Sequence, residues 1–156
     1  MAKPEIINKI SFYSKHPDLR LRNRIILKSF ISLIFKTEKK KIKQLSILFV
    51  SDAFLLKINQ EFLKHNYYTD IITFDLSVQV SSIISEIFIS IDRVRENARV
   101  YETSYSQELH RVIFHGILHL CGYRDQLKNE KQIIRERENY YLDKYKTYVS
   151  REKRST

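Results

Sequence analysis

Glycine is scarce in this chain: there are two in 156 residues, where average usage of about 7% would give roughly 11. Cysteine occurs once, as Cys121. A lone cysteine excludes an internal disulfide framework and fits a reducing compartment. A long apolar run is also missing. The best stretch, Ile25–Phe35, is short and carries Lys28, well under the roughly 18 residues a membrane span requires. Met1-Ala2-Lys3-Pro4-Glu5 has no apolar signal-peptide core, so the expected location is cytoplasmic. Neither low-complexity tracts nor internal repeats occur. With 43% hydrophobic and 12% aromatic residues, disorder as the main state is excluded. The length predicts one domain over residues 1–156, large enough to bury roughly 68–70% of its unfolded surface.

The charge is unevenly placed. Lysine and arginine number 28 against 18 acidic residues, a net of +10. Residues 1–44 hold 12 basic and 3 acidic side chains, and residues 144–156 hold 5 and 1. The middle, 45–143, holds 11 basic and 14 acidic side chains, a net of −3. Basic ends draw a polyanion such as RNA by counterion release; ordinary solubility accounts for the same excess. An acidic centre between basic ends suits a metal site serving an anionic substrate.

Periodicity predicts a strand over Ile6–Tyr13, then a helix from Asp18, as N-cap, to Lys36. Leu45–Val50 reads as a strand, and Ser51 or Asp52 caps a helix to Leu63. His65–Tyr68 is a loop, and Asp70–Leu76 and Ile83–Ile91 are extended. Asp92 is expected to cap a helix to Thr103, and Ser106 another to Cys121. A last amphipathic helix covers Lys128–Val149, with a frayed basic tail from about residue 150. The order β-α-β-α-β-β-α-α-α predicts an α+β single domain: a small mixed sheet of about four strands with helices packed around it.

Both glycines fall in Phe114-His115-Gly116-Ile117-Leu118-His119-Leu120-Cys121-Gly122-Tyr123-Arg124-Asp125. His115 and His119 are four apart and share a helix face, so their imidazoles can chelate one ion. The same spacing also occurs in core and surface histidine pairs that bind nothing. Gly122 stands where a helix C-terminus takes positive φ, which lets Asp125 return as a third ligand. Gly116 lets another element pack close. It also occupies the position that a zinc-protease HExxH gives to its glutamate, so a peptidase reading loses its base. His110 and Cys121 point off the histidine face.

His115-Gly116-Ile117-Leu118-His119-Leu120-Cys121-Gly122-Tyr123 resembles the HGxLHLxGY signature of the YbeY family, bacterial endoribonucleases that mature ribosomal RNA. Asn59-Gln60-Glu61-Phe62 with Thr69-Asp70-Ile71-Ile72-Thr73-Phe74 is similar to the family's LNxxYR…TDVLSF block. Ser85-Glu86-Ile87-Phe88-Ile89-Ser90 falls where the family has GDIxIS, followed by Asp92-Arg93, and Glu108-Leu109 precedes the histidine helix as expected. The similarity spans about residues 45–126 in the family's order.

The resemblance implies a small sheet with surrounding helices, a zinc site, and hydrolysis of single-stranded RNA in maturation of small-subunit ribosomal RNA and ribosome quality control. The implied partners are single-stranded RNA, ribosomal RNA or the small ribosomal subunit, with neither DNA nor a membrane. His115 and His119 fall on the first two metal ligands. Asp125 stands in place of the family's third histidine, Arg124 in place of the preceding acid, Leu63 in place of an arginine of the LNxxYR block, and Ser85 in place of a glycine. Aspartate ligates zinc at about 2.0–2.2 Å; two histidines and a carboxylate also suit iron(II). Lys64 or His65 is the candidate replacement for the arginine, with Lys64 the expected cation at the reacting phosphate. Asp70 is the expected group orienting a ligand or water, or else a loop cap. Tyr67 and Tyr68 could stack on bases, or one ring could pack against the sheet. The alternative function is a non-catalytic, ribosome-associated RNA-binding protein, favoured by the Leu63 and Asp125 departures.

Overall fold

The computed structural model describes residues 8–155. Its elements are β1 (Ile10–Ser14), α1 (Arg24–Thr37), β2 (Ile42–Val50), α2 (Asp52–Leu63), β3 (Ile71–Asp75), β4 (Ile83–Ser90), α3 (Ile91–Val100), α4 (Tyr105–Leu120) and α5 (Lys128–Arg154). The sheet order is β1-β2-β4-β3. β1, β2 and β4 run parallel and β3 is antiparallel to β4, so the mixed four-stranded α+β arrangement is as expected. Among the described residues no helix is long and apolar enough to cross a membrane.

Strand alternation sorts the side chains onto two faces. Leu45, Ile47 and Phe49 of β2 join Ile87 and Ile89 of β4 in the main core, against Leu27, Phe30 and Ile34 of α1 and the buried face of α4. The intervening Leu48, Val50 and Phe88 face a smaller cluster with Leu55 and Ile58 of α2. α4 is apolar on most sides, with Leu109, Val112, Ile113, Phe114, Ile117 and Leu118 all buried. Its histidine stripe is therefore held rigidly by the core behind it.

Several boundaries differ from expectation, each for a local reason. Ile6 and Ile7 of the first expected strand lie outside the described residues, and β1 begins at Ile10. The first helix starts at Arg24 with Asn23 at its cap, not at Asp18. Leu19 and Leu21 reach the core from the loop before it, and Asp18 pairs with Arg95 at 3.2 Å. Ser90 rather than Asp92 caps α3, accepting from the Arg93 N–H at 3.1 Å. The Asp92 carboxylate instead accepts from the Asp52 N–H and meets His16 Nε2, both at 2.8 Å. Ser104, not Ser106, caps α4. α5 runs on to Arg154, not Val149, because Arg151, Lys153 and Arg154 suit the negative end of a helix dipole.

Candidate metal centre

His115 and His119 lie one turn apart on α4, with their Nε2 atoms 2.9 Å from each other. Their outer ring nitrogens are both occupied. His115 Nδ1 meets Glu138 Oε2 of α5 at 2.8 Å, and His119 Nδ1 meets the Tyr123 carbonyl at 2.9 Å. Both partners accept hydrogen bonds, so each Nδ1 carries the proton and each Nε2 turns its lone pair inward. The third group is Asp125, whose Oδ2 lies 3.4 Å from His115 Nε2 and 3.2 Å from His119 Nε2.

Local structure brings Asp125 there. α4 ends at Leu120, and Gly122 takes φ +103°. The Gly122 N–H donates to the His119 carbonyl and the Tyr123 N–H to the Leu118 carbonyl, both at 3.0 Å, a Schellman closure. The Tyr123 hydroxyl donates to Glu38 Oε1 at 2.6 Å, and Arg137 of α5 donates to both Glu38 oxygens at 3.2–3.3 Å. Burial works against the Glu38 charge, but the Arg137 and Tyr123 hydrogen bonds outweigh it and hold the carboxyl below its usual range. The returning loop is thereby tied to α1 and α5. Gly116 serves the opposite side: a Cβ there would lie 2.7 Å from Ile71 Cδ1 and 3.2 Å from Ile87 Cδ1. Its bare backbone lets α4 press onto β3 and β4.

The separations of 2.9, 3.2 and 3.4 Å match a tetrahedral ion, whose ligands at about 2.0–2.1 Å stand about 3.3 Å apart. Three acceptors converge with no donor between them. Burial alone would favour neutral His115, but the hydrogen bond and charge of Glu138, with Asp70 and Asp125, raise its pKa above the ordinary imidazole value. The surroundings favour positive charge at this point.

Two clefts meet at the centre. One, of about 330 Å³, lies between α4 and α5; the other, of about 320 Å³, opens toward β3 and the loop after α2. Asp70, His115 and Asp125 line both. The Asp70 carboxyl is raised in pKa by burial and accepts from Asn97 Nδ2 at 3.5 Å, while its carbonyl accepts from the Ser90 N–H at 2.9 Å.

Of the expected residues, His115, His119, Asp125 and Asp70 are brought together; Lys64 is not. Lys64 ends α2 with φ 58° and is exposed, while its neighbours Leu63 and His65 line the second cleft. Tyr67 and Tyr68 are both exposed, so neither ring packs beneath the sheet. Tyr67 stacks on His65 with ring centroids 5.1 Å apart, and Tyr68 lies against the Arg93 guanidinium. Ser85 is buried and its hydroxyl donates to the Phe74 carbonyl at 2.7 Å, which gives the serine a place between strands.

Sequence reasoning missed Glu138. It is 4% exposed and sits on the core stripe of α5 with Ile134, Tyr141, Leu142 and Tyr145. An acid at an apolar helical position was the available signal. Arg111 Nη1 lies 3.3 Å from its Oε1, offsetting the buried charge. Glu108 is also buried beside the cleft, its pKa raised by desolvation.

A histidine pair on a core helix, oriented from behind and joined by an acid from the returning loop, defines an α+β protein with a three-residue cluster able to hold one metal ion. The family follows from the whole chain. A family model described as "Endoribonuclease YbeY" matches residues 10–146, and the chain belongs to that family. A Cytophaga hutchinsonii protein named "Endoribonuclease YbeY" is 44% identical over 133 residues, 85% of this chain and 93% of the relative. A Porphyromonas gingivalis protein of the same name is 47% identical over 135 residues, 86% of this chain and 88% of the relative. The solution structure of TM1509 from Thermotoga maritima is similar with a TM-score of 0.58 and 26% identity, covering 94% of this chain and 92% of that one.

Proposed function

We propose that this chain is a zinc-dependent endoribonuclease that cuts single-stranded RNA, acting in the cytoplasm on small-subunit ribosomal RNA during its maturation and in ribosome quality control. The observation that carries the metal dependence is the convergence of His115 Nε2, His119 Nε2 and Asp125 Oδ2 within 3.4 Å, three lone-pair donors of a set that suits zinc. The RNA substrate rests on family membership and on the resemblance of the Thr69–Phe74 and His115–Tyr123 segments.

A bound divalent ion supplies Lewis acidity toward a phosphate oxygen and lowers the pKa of a coordinated water. The protein's own residues do the rest. Glu138 and the Tyr123 carbonyl fix the two imidazoles so that their Nε2 atoms converge. Asp70, facing the same space from the start of β3, orients a water through its carboxylate. The His65–Tyr67 pair offers a stacking surface for an unpaired base.

Elemental analysis of natively purified protein tests this, followed by cleavage of a single-stranded and a duplex oligoribonucleotide with and without chelator. About one zinc per chain, lost in Asp125→Ala together with single-strand cleavage, is expected. Protein that holds no zinc when supplied with it, yet binds RNA regardless of chelator, would establish the non-catalytic RNA-binding alternative.

A further inference from the structure

Leu63, which lines the cleft toward β3, stands where the LNxxYR block has an arginine, and Lys64 is outside both clefts. The cleft toward β3 is lined by no lysine or arginine. The cleft between α4 and α5 is lined by three: Arg111, Lys131 and Arg135. Arg111 is committed, with Nη1 at 3.3 Å from Glu138 and 3.0 Å from Asn139. Lys131 is exposed, and its ammonium has no hydrogen-bond or ion-pair partner among the described residues. The Arg135 side chain is 53% exposed and makes only a 3.7 Å contact with Glu138.

Lys131, Arg135 and Glu138 stand at i, i+4 and i+7 on α5, one continuous stripe. Glu138 reaches His115 from the inner end of that stripe. The two cations therefore line, from the α5 side, the same cleft that His115 and Asp125 line. Lys131 lies in the opening turns of α5, where the helix dipole disfavours positive charge. The same cleft is lined by the carboxylates of Asp70, Glu108, Asp125 and Glu138, which repel a nucleic-acid backbone unless cations offset them.

We propose that Lys131 and Arg135 bind the RNA backbone phosphates beside the scissile one. The strand then runs through the junction of the two clefts, with phosphates held on the α5 side and bases toward the His65–Tyr67 side. The inference rests on the endoribonuclease reading above.

The test is steady-state cleavage of a single-stranded oligoribonucleotide by the full chain across a KCl series, with zinc content and thermal melting measured in parallel. Each lost phosphate contact lowers the log–log salt slope by about 0.7 on single strands. The Lys131→Ala/Arg135→Ala double variant should lose about 1.4 of that slope, so its fall in kcat/KM between about 50 and 200 mM KCl becomes roughly sevenfold smaller. The loss should be in KM, with kcat and zinc content retained. The swap Lys131→Arg/Arg135→Lys should keep the unmodified slope and also covers misfolding of the alanine variant. Lys146→Ala, about 22 Å from Lys131 and about 16 Å from Arg135 along the same helix, should lose less slope than Lys131→Ala or Arg135→Ala alone. An unmodified KM and slope in the double variant, or an equal slope loss in Lys146→Ala, overturns the proposal and leaves the endoribonuclease reading standing. Unmodified protein that cuts no RNA overturns both.

Discussion

Glu138→Gln isolates what the carboxylate behind His115 contributes. The glutamine keeps the shape and one acceptor oxygen for His115 Nδ1, 2.8 Å away, but removes a charge that is 4% exposed. Losing a partner that orients a metal-binding histidine typically costs 10–100-fold in metal affinity, about 1.4–2.7 kcal/mol. Because an acceptor survives, the expected loss for Glu138→Gln is near the lower figure, about tenfold. Glu138→Ala removes the acceptor too and should approach a hundredfold loss, about 2.7 kcal/mol. Stability falls as well, since removing one member of a buried ion pair costs about 3–5 kcal/mol. Arg111 is still 16% exposed, so water can reach it, and the loss should sit near the lower end. Zinc affinity measured by competition with a chromophoric chelator, alongside urea unfolding, separates the two effects. Unchanged zinc affinity in both Glu138 variants, while His115→Ala loses it, would reduce Glu138 to a structural counter-ion for Arg111.

Gly122→Ala should destabilise the protein by about 1–3 kcal/mol, the range for a side chain held in a sparsely populated backbone region. Nothing lies within 4 Å of the added Cβ, so the loss in urea unfolding is pure backbone strain; an unchanged midpoint sinks the argument. Tyr123→Phe should cost about 1.5–3 kcal/mol, the range for a hydrogen bond to a charged group, and a smaller loss would mean that Arg137 alone secures Glu38. His110, stacked on Phe114, has its pKa pushed down to about 4 by burial. The depressed value means that stability is complete above the unfolded pKa of about 6.5 and is lost as pH falls toward 4, by up to about 3 kcal/mol. His110→Phe should flatten unfolding free energy between those pH values, and an acid dependence identical to the unmodified protein's would refute the assignment.

Periodic signals were legible in the sequence and tertiary choices were not. Leu45–Val50 and Ile83–Ser90 form strands, and α4 a helix, because their apolar spacing satisfies the core at any reasonable boundary. Caps depend on what else competes for the side chain. Asp92 reads as an N-cap, yet its carboxylate is taken by His16 and the Asp52 N–H, so Ser90 closes the helix. Asp18 likewise answers to Arg95 across the chain. The clustering of His115, His119 and Asp125 was legible because two glycines mark it: one lets α4 touch β3 and β4, and the other turns the chain back toward the histidines. Glu138 lies 15 residues beyond Tyr123, where the motif ends, and only its place on the apolar stripe of α5 distinguishes it from surface acids.

The segment charges acquire a location in the fold. The middle of the chain is net −3, and four of its acids, Asp70, Glu108, Asp125 and Glu138, face one cleft. Burial raises the pKa of Asp70 and of Glu108, and the carboxylates raise that of His115 despite its burial. All three groups therefore hold protons more tightly than they would in water, which is how a cleft with excess buried negative charge relieves itself. A divalent cation relieves the same excess, so ion and proton compete for this space, and ion uptake must displace any proton on His115 Nε2. The carboxylates that make the cleft receptive to a metal ion also make it hostile to an RNA backbone. An endoribonuclease with this centre needs cations close by, and among the described residues lining the cleft Lys131 is unpaired and Arg135 is held only by a 3.7 Å contact with Glu138.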